Sequence, residues 1–215
     1  MNSVRLKLLA VAPMLIMLAT SALLYPSLPE QLPSISSDPD DTQSKLLIAV
    51  LLPGIYVMTL SIVFLMVNNS PKKFSMPNSR SAVGSLIFAS GILFCFCHYA
   101  SLNHQGEFDF FVNYFTWGMA VFLIIAGNVM GKTERNFVFG IYLPWTLASE
   151  ENWRASHRVA GRLWVAIGIL LCVVNIWINH LGLVIAATTL PLLVMTIYSY
   201  RYYAINEKPK ENEDE

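Results

Sequence analysis

The sequence predicts an all-α integral membrane protein with six transmembrane helices and cytoplasmic N- and C-termini. Three observations carry this. Of 215 residues, 55% are hydrophobic and only 13% charged, with a mean hydropathy of +0.52, whereas a soluble domain carries about 25% charged residues. The charges cluster, leaving six long apolar runs at residues 8–24, 46–67, 82–101, 110–130, 163–178 and 183–200. Each approaches the ~20 residues needed where no water is present to satisfy a backbone amide. With the N-terminus inside, thirteen of the fourteen lysines and arginines lie on the cytoplasmic side and only Lys45 lies outside. Basic residues resist translocation, so this asymmetry sets the orientation.

Residues 1–68 read as a two-helix transmembrane unit. Arg5 and Lys7 before an apolar run, with Ala19-Thr20-Ser21-Ala22 beyond it, have the outline of a signal peptide. The length of the run and Pro13 within it favour an uncleaved helix. The connector after it holds Pro26, Pro29, Pro33 and Pro39 with Glu30, Asp38, Asp40 and Asp41, and reads as extended and acidic, since proline fixes φ and blocks helix. Residues 69–81 form a basic cytoplasmic loop suited to anionic headgroups. Residues 82–200 make a four-helix transmembrane module, and 201–215 a disordered acidic tail without apolar residues after Ile205.

Pro13, Pro53-Gly54 and Pro191 lie inside spans, where neighbouring groups re-satisfy the carbonyl that a proline frees. Cys95, Cys97 and Cys172 also fall inside spans. Cys95-Phe96-Cys97-His98 superficially resembles a ligand cluster, but positions two apart on a helix face different ways. No metal and no cofactor is expected. Midplane Asp, Glu, Lys and Arg are absent, which argues against a proton-coupled transporter.

Residues 127–162 stand apart, with eight of the chain's charged side chains between two spans. Gly127-Asn128 ends the fourth helix, and Gly131 suits a left-handed C-terminal position. Lys132 and Arg135 complement the negative end of that helix. Residues 136–142 are apolar and aromatic enough for the membrane interface, with Tyr142 and Trp145 as belt residues. Pro144 stops any helix and forces Leu143 out of the α region. Ser149 is an N-cap, with Glu150 and Glu151 in the first turn of a helix expected to run through Ile178. On it Glu150 and Arg154 are four apart, in the favourable order for an ion pair. Trp153, His157 and Gly161 repeat every four residues on one face, beside a stripe of Arg154, Arg158 and Arg162.

Three readings of that stripe remain open. The first is structural bracing of the bundle. The second is a surface for a cytoplasmic partner or lipid phosphate, with guanidinium forks as contacts. The third is acid–base catalysis by Glu150 or Glu151 with His157. An intramembrane protease of the prenyl-processing type uses Glu-Glu-x-x-x-Arg, and Glu150-Glu151-Asn152-Trp153-Arg154 is one residue short of it.

The pattern Gly127-Asn128, Gly131, Asn136, Gly140, Pro144-Trp145-Thr146-Leu147-x-Ser149-Glu150-Glu151-x-Trp153-x-x-x-His157-Arg158-x-x-Gly161 resembles the SdpI family of bacterial membrane proteins. Tyr25-Pro26-x-Leu28-Pro29, Leu32-Pro33 and Lys45 resemble the small domain that often precedes this module. The resemblance implies a six-helix inner-membrane protein, multi-pass and without catalytic residues. It would give immunity to a secreted antimicrobial peptide and/or transduce an envelope signal by binding a cytoplasmic partner. The partners so implied are the lipid bilayer, a peptide toxin outside and a winged-helix repressor inside, with no direct nucleic acid binding. The motif positions expected to matter are Asn128, Asn136, Pro144, Trp145, Thr146, Ser149, Glu150, Glu151, Trp153, Arg154, His157, Arg158 and Gly161. The alternative is an intramembrane hydrolase using Glu150, Glu151 and His157.

Overall fold

The computed structural model describes residues 3–34, 42–70, 80–104 and 107–208. Seven α-helices follow in order: α1 (Ser3–Leu24), α2 (Lys45–Asn68), α3 (Arg80–Asn103), α4 (Phe108–Met130), α5 (Pro144–Ala148), α6 (Glu150–Val174) and α7 (Leu181–Asn206). Among the described residues, six of these are long and apolar enough to cross a membrane, α5 being the short exception. The protein is an all-α integral membrane protein. Its spine is α3–α4–α6, with α1 and α2 laid against α3, α7 against α6, and α5 wedged between α6 and α7.

Small residues bring these helices together. At the α4–α6 crossing, a Cβ on Gly161 would stand 2.5 Å from the Gly127 carbonyl oxygen, and one on Gly127 would stand 2.6 Å from the Gly161 oxygen. Further along, a Cβ on Gly168 would meet the Ala120 oxygen at 2.8 Å. The two backbones therefore touch, as expected where helix association depends on close packing instead of water exclusion. Trp164 then packs against two buried clusters, one that includes Ala126 and Val129 and one that includes Met130 and Ala160.

The prolines are accommodated by neighbours. Pro53 cannot donate to the carbonyl four residues back, and Ser21 of α1 instead donates its hydroxyl to the Ala49 carbonyl at 2.9 Å. Its single proton being so used, the Ser21 oxygen accepts from Nε2 of His98 at 2.8 Å. Pro13 lies directly on Gly91, and the buried Tyr56 donates to the Ala10 carbonyl at 3.0 Å.

The connector between α1 and α2 carries more order than an extended stretch. A 3-10 turn, Tyr25–Ser27, leads to two short antiparallel strands, β1 (Gln31–Pro33) and β2 (Thr42–Ser44), with Leu32 opposite Gln43. Lys45 closes this end by pairing with Glu30 at 2.8 Å and lying over the Tyr25 ring.

Four expectations are corrected. The helix beginning at Glu150 ends at Val174, not Ile178, because Asn175 turns to α4 and donates to Oδ1 of Asn113 at 2.7 Å. The last helix runs through Asn206, so residues 201–206 are helical where a disordered tail was expected; Tyr203 lies against the Trp145 ring. Residues 209–215 of that tail lie outside the described residues. Of the basic loop, Arg80 and Ser81 already belong to α3, and residues 71–79 lie outside the described residues. Gly131 is right-handed, at φ −69° and ψ −4°, so it caps α4 without a left-handed turn.

Candidate functional site

The motif residues gather at one end of the bundle, where the loop 131–143 and α5 fold back over the first turns of α6. A buried asparagine organises the loop. Asn136 donates through Nδ2 to the carbonyls of Glu134 and Phe139 at 2.7 and 3.1 Å, and its Oδ1 accepts from Val138 and Phe139 N–H, both at 2.7 Å. With no solvent exposure, this side chain substitutes for the regular backbone pairing that the loop lacks.

Thr146 holds the start of α5 in the same way. Its hydroxyl donates toward the Ile141 carbonyl at 2.8 Å and accepts from Leu143 N–H at 3.0 Å. Leu143 is extended (φ −115°, ψ 150°), as the following proline demands, yet Pro144 opens a helical turn where a plain stop was expected. Arg135 donates to the carbonyls of Leu147 and Ala148 at 2.7 and 2.8 Å. It therefore caps the C-terminal end of α5, not that of α4.

Ser149 caps α6 as expected, accepting from Asn152 N–H at 3.2 Å. Trp153 is fully buried and donates from Nε1 to the Thr133 carbonyl at 3.0 Å. His157 lies one turn on, stacked against it with ring centroids 3.8 Å apart. Nε2 of His157 accepts from the Ile141 N–H at 3.0 Å, so that nitrogen carries no proton, and Nδ1 donates to the Trp153 carbonyl at 2.8 Å. Both nitrogens of a neutral imidazole are thus used inside the fold, and the ring is fully buried. Gly140 makes this approach possible. Its φ is +150°, and a Cβ there would collide with Trp153 Cη2 and stand 2.6 Å from His157 Nε2.

A second network reaches α7. Trp145 donates from Nε1 to the Ser199 hydroxyl at 3.0 Å, and Asn152 donates to the Ser199 carbonyl at 3.2 Å. Ser156 in turn donates to Oδ1 of Asn152 at 2.9 Å. Asn152, Ser156, Thr133 and Ser199 were missed in the sequence. The spacing of Asn152 and Ser156 by four residues is their one local signal, while Ser199 has none.

The charged motif residues lie outside these networks. Glu150 and Arg154 pair at 2.5 Å with both side chains more than half exposed, a geometry that contributes little to stability. Glu151 and Arg158 are exposed. Arg158, Arg162, Lys132 and Asn128 line an open groove of about 510 Å³ beside the Gly127–Gly161 crossing. Among the described residues no three His, Cys, Asp or Glu side chains cluster to hold a metal ion.

The stretch 132–199, from the groove lysine to the serine that closes the second network, matches the family described as the SdpI/YfhL protein family. The chain is also 27% identical over 193 residues to the Immunity protein SdpI of Bacillus subtilis (strain 168), covering 86% of this chain and 89% of the relative. No solved structure matches the chain. This likeness and the six apolar helices together describe a multi-pass inner-membrane protein.

Proposed function

We propose that this protein is a non-enzymatic member of the SdpI type that protects its host membrane from a secreted antimicrobial peptide and passes an envelope signal to a cytoplasmic partner. Its motif end would face the cytoplasm, which follows from the thirteen basic residues placed there by the orientation with both termini inside. Residues 1–68 would form an N-terminal two-helix unit ahead of the four-helix module, leaving the peptide to be met from the outer side. The inner partner would be a winged-helix repressor held at the motif end, with Asn136, Pro144, Trp145, Thr146, Ser149, Trp153 and His157 shaping the platform and Arg154, Arg158, Glu150 and Glu151 presented on it.

The closure of His157 supports this reading most. An imidazole with both nitrogens bonded to backbone groups and no exposed surface has no lone pair or proton to offer a substrate. Glu150 is paired with Arg154 and more than half exposed, whereas the ring is buried. These features weigh against hydrolysis by Glu150, Glu151 and His157.

The test places wild type, His157→Ala and Glu150→Ala in a strain lacking its own immunity protein and challenges each with the killing peptide at matched membrane abundance. Wild type and Glu150→Ala are expected to survive alike. A fluorescent winged-helix repressor should move to the membrane only when peptide and protein are both present. Hydrolytic turnover of a lipid or peptide by purified wild type, lost in folded Glu150→Ala or His157→Ala, would refute the proposal.

A further inference from the structure

The groove beside the α4–α6 crossing combines charge and apolar surface in an order that has a definite chemical match. It exists because Gly127, Gly131 and Gly161 contribute no side chains where the helices touch. The stem of Arg158 lies over Gly131, with a Cβ there only 3.1 Å from Arg158 Cγ. Arg158 and Arg162 stand one turn apart on α6, and Lys132 faces them from the end of α4. Among the described residues none of these three pairs with a carboxylate. Glu151 is on the same helix nearly two turns before Arg158 and does not line the groove.

Beyond Arg162 the lining changes to Val165, Ala166 and Ile169. From Arg158 to Ile169 is eleven residues, about 16 Å along the helix, enough for a phosphate group at one end and the upper part of an acyl chain at the other. Guanidinium forks suit phosphate oxygens, and basic pockets between membrane helices hold anionic headgroups. A free anion would leave the apolar half of the groove unused. A soluble protein would not reach Ile169, which lies two turns beyond the last charge toward the apolar body of the helix.

We propose that this groove is a binding site for one anionic phospholipid, its phosphate between Arg158, Arg162 and Lys132 and an acyl chain along Val165, Ala166 and Ile169. The site does not depend on the immunity reading. The experiment is native mass spectrometry of the full chain equilibrated in micelles with equimolar phosphatidylglycerol and phosphatidylcholine of identical acyl composition. Wild type should retain one phosphatidylglycerol in preference to phosphatidylcholine. Arg162→Gln should lower the preference about fivefold, and Arg158→Gln with Arg162→Gln should lower it further, each cation near a lipid surface counting by about that factor.

Arg201→Gln removes an exposed charge at the end of α7, outside the groove, and should leave the preference within about twofold of wild type. Val165→Trp fills the apolar floor without touching the charges and should weaken retention of the lipid. If the double variant does not fold, Arg162→Gln and Val165→Trp carry the test. Equal retention of both lipids by wild type, unchanged preference in the arginine variants, or displacement of the lipid by millimolar inorganic phosphate alone would overturn the site.

Discussion

Two glycines of the motif should respond to alanine to very different degrees, and the contrast tests the loop geometry directly. At Gly140, φ is +150°, a region that residues with a Cβ hardly enter, and holding one there costs of order 1–3 kcal/mol. The added Cβ would collide with the Trp153 ring and stand 2.6 Å from His157 Nε2. Both partners are fully buried and neither ring has room to retreat. The loop must shift instead, separating Ile141 N–H from the imidazole. A buried donor left without its acceptor costs about 1–3 kcal/mol more.

Gly140→Ala should therefore destabilise the protein by roughly 2–6 kcal/mol. Gly131 is right-handed, and its Cβ would stand 3.1 Å from Arg158 Cγ and 3.2 Å from Arg158 Cα, tight contacts without a collision, so Gly131→Ala should cost only about 1 kcal/mol. Tryptophan fluorescence during titration of mixed micelles with a denaturing detergent reads both values, and His157→Ala supplies the reference for a lost Ile141 bond. Equal destabilisation by the two alanines, or a larger effect at Gly131, would refute the geometry and restore the left-handed cap that the sequence suggests.

Three further outcomes are expected. Asn136→Ala removes four hydrogen bonds from a fully buried position and should cost about 3 kcal/mol or more, whereas Glu150→Gln at the exposed ion pair should stay below ~1 kcal/mol; the same detergent titration compares them. Trp145→Phe and Ser199→Ala should each weaken the α5–α7 contact, and their double-mutant cycle should give a coupling near 1 kcal/mol, with no coupling to Glu150→Gln. His104, in the loop after α3, is buried, and burial lowers its pKa below the usual histidine range. A lowered folded value means stability is full above the unfolded pKa of about 6.5 and is lost as pH falls below it, so thermal midpoints measured from pH 7 to pH 5 should drop less in a His104→Gln variant.

Much of this architecture was legible along the chain. Six apolar runs specify six helices because lipid offers a backbone amide no partner outside its own helix. The Ser149 cap and the Glu150–Arg154 pair are local matters of spacing, and they are where the spacing puts them. Three misjudged positions share one cause, a partner distant in sequence. Asn175 ends α6 because Asn113, 62 positions earlier, receives its amide. Arg135 serves α5 instead of α4, since the loop returns it to the Leu147 and Ala148 carbonyls. Tyr203 extends α7 because Trp145 lies against it.

The sequence by itself determined the class, the spans and the polar segment, all of which follow from composition and from periods shorter than ten residues. Only the tertiary structure decided what that segment does internally. Whether His157 is a base or a brace depends on where Ile141 N–H falls, and that depends on the handedness of Gly140 and the space beside Trp153. Likewise Arg158 and Arg162 become the wall of a groove only because three glycines let α4 and α6 touch. Hydrophobicity is a property of each residue and adds up along the chain. A closed hydrogen bond or a groove belongs to pairs of atoms that folding alone brings together.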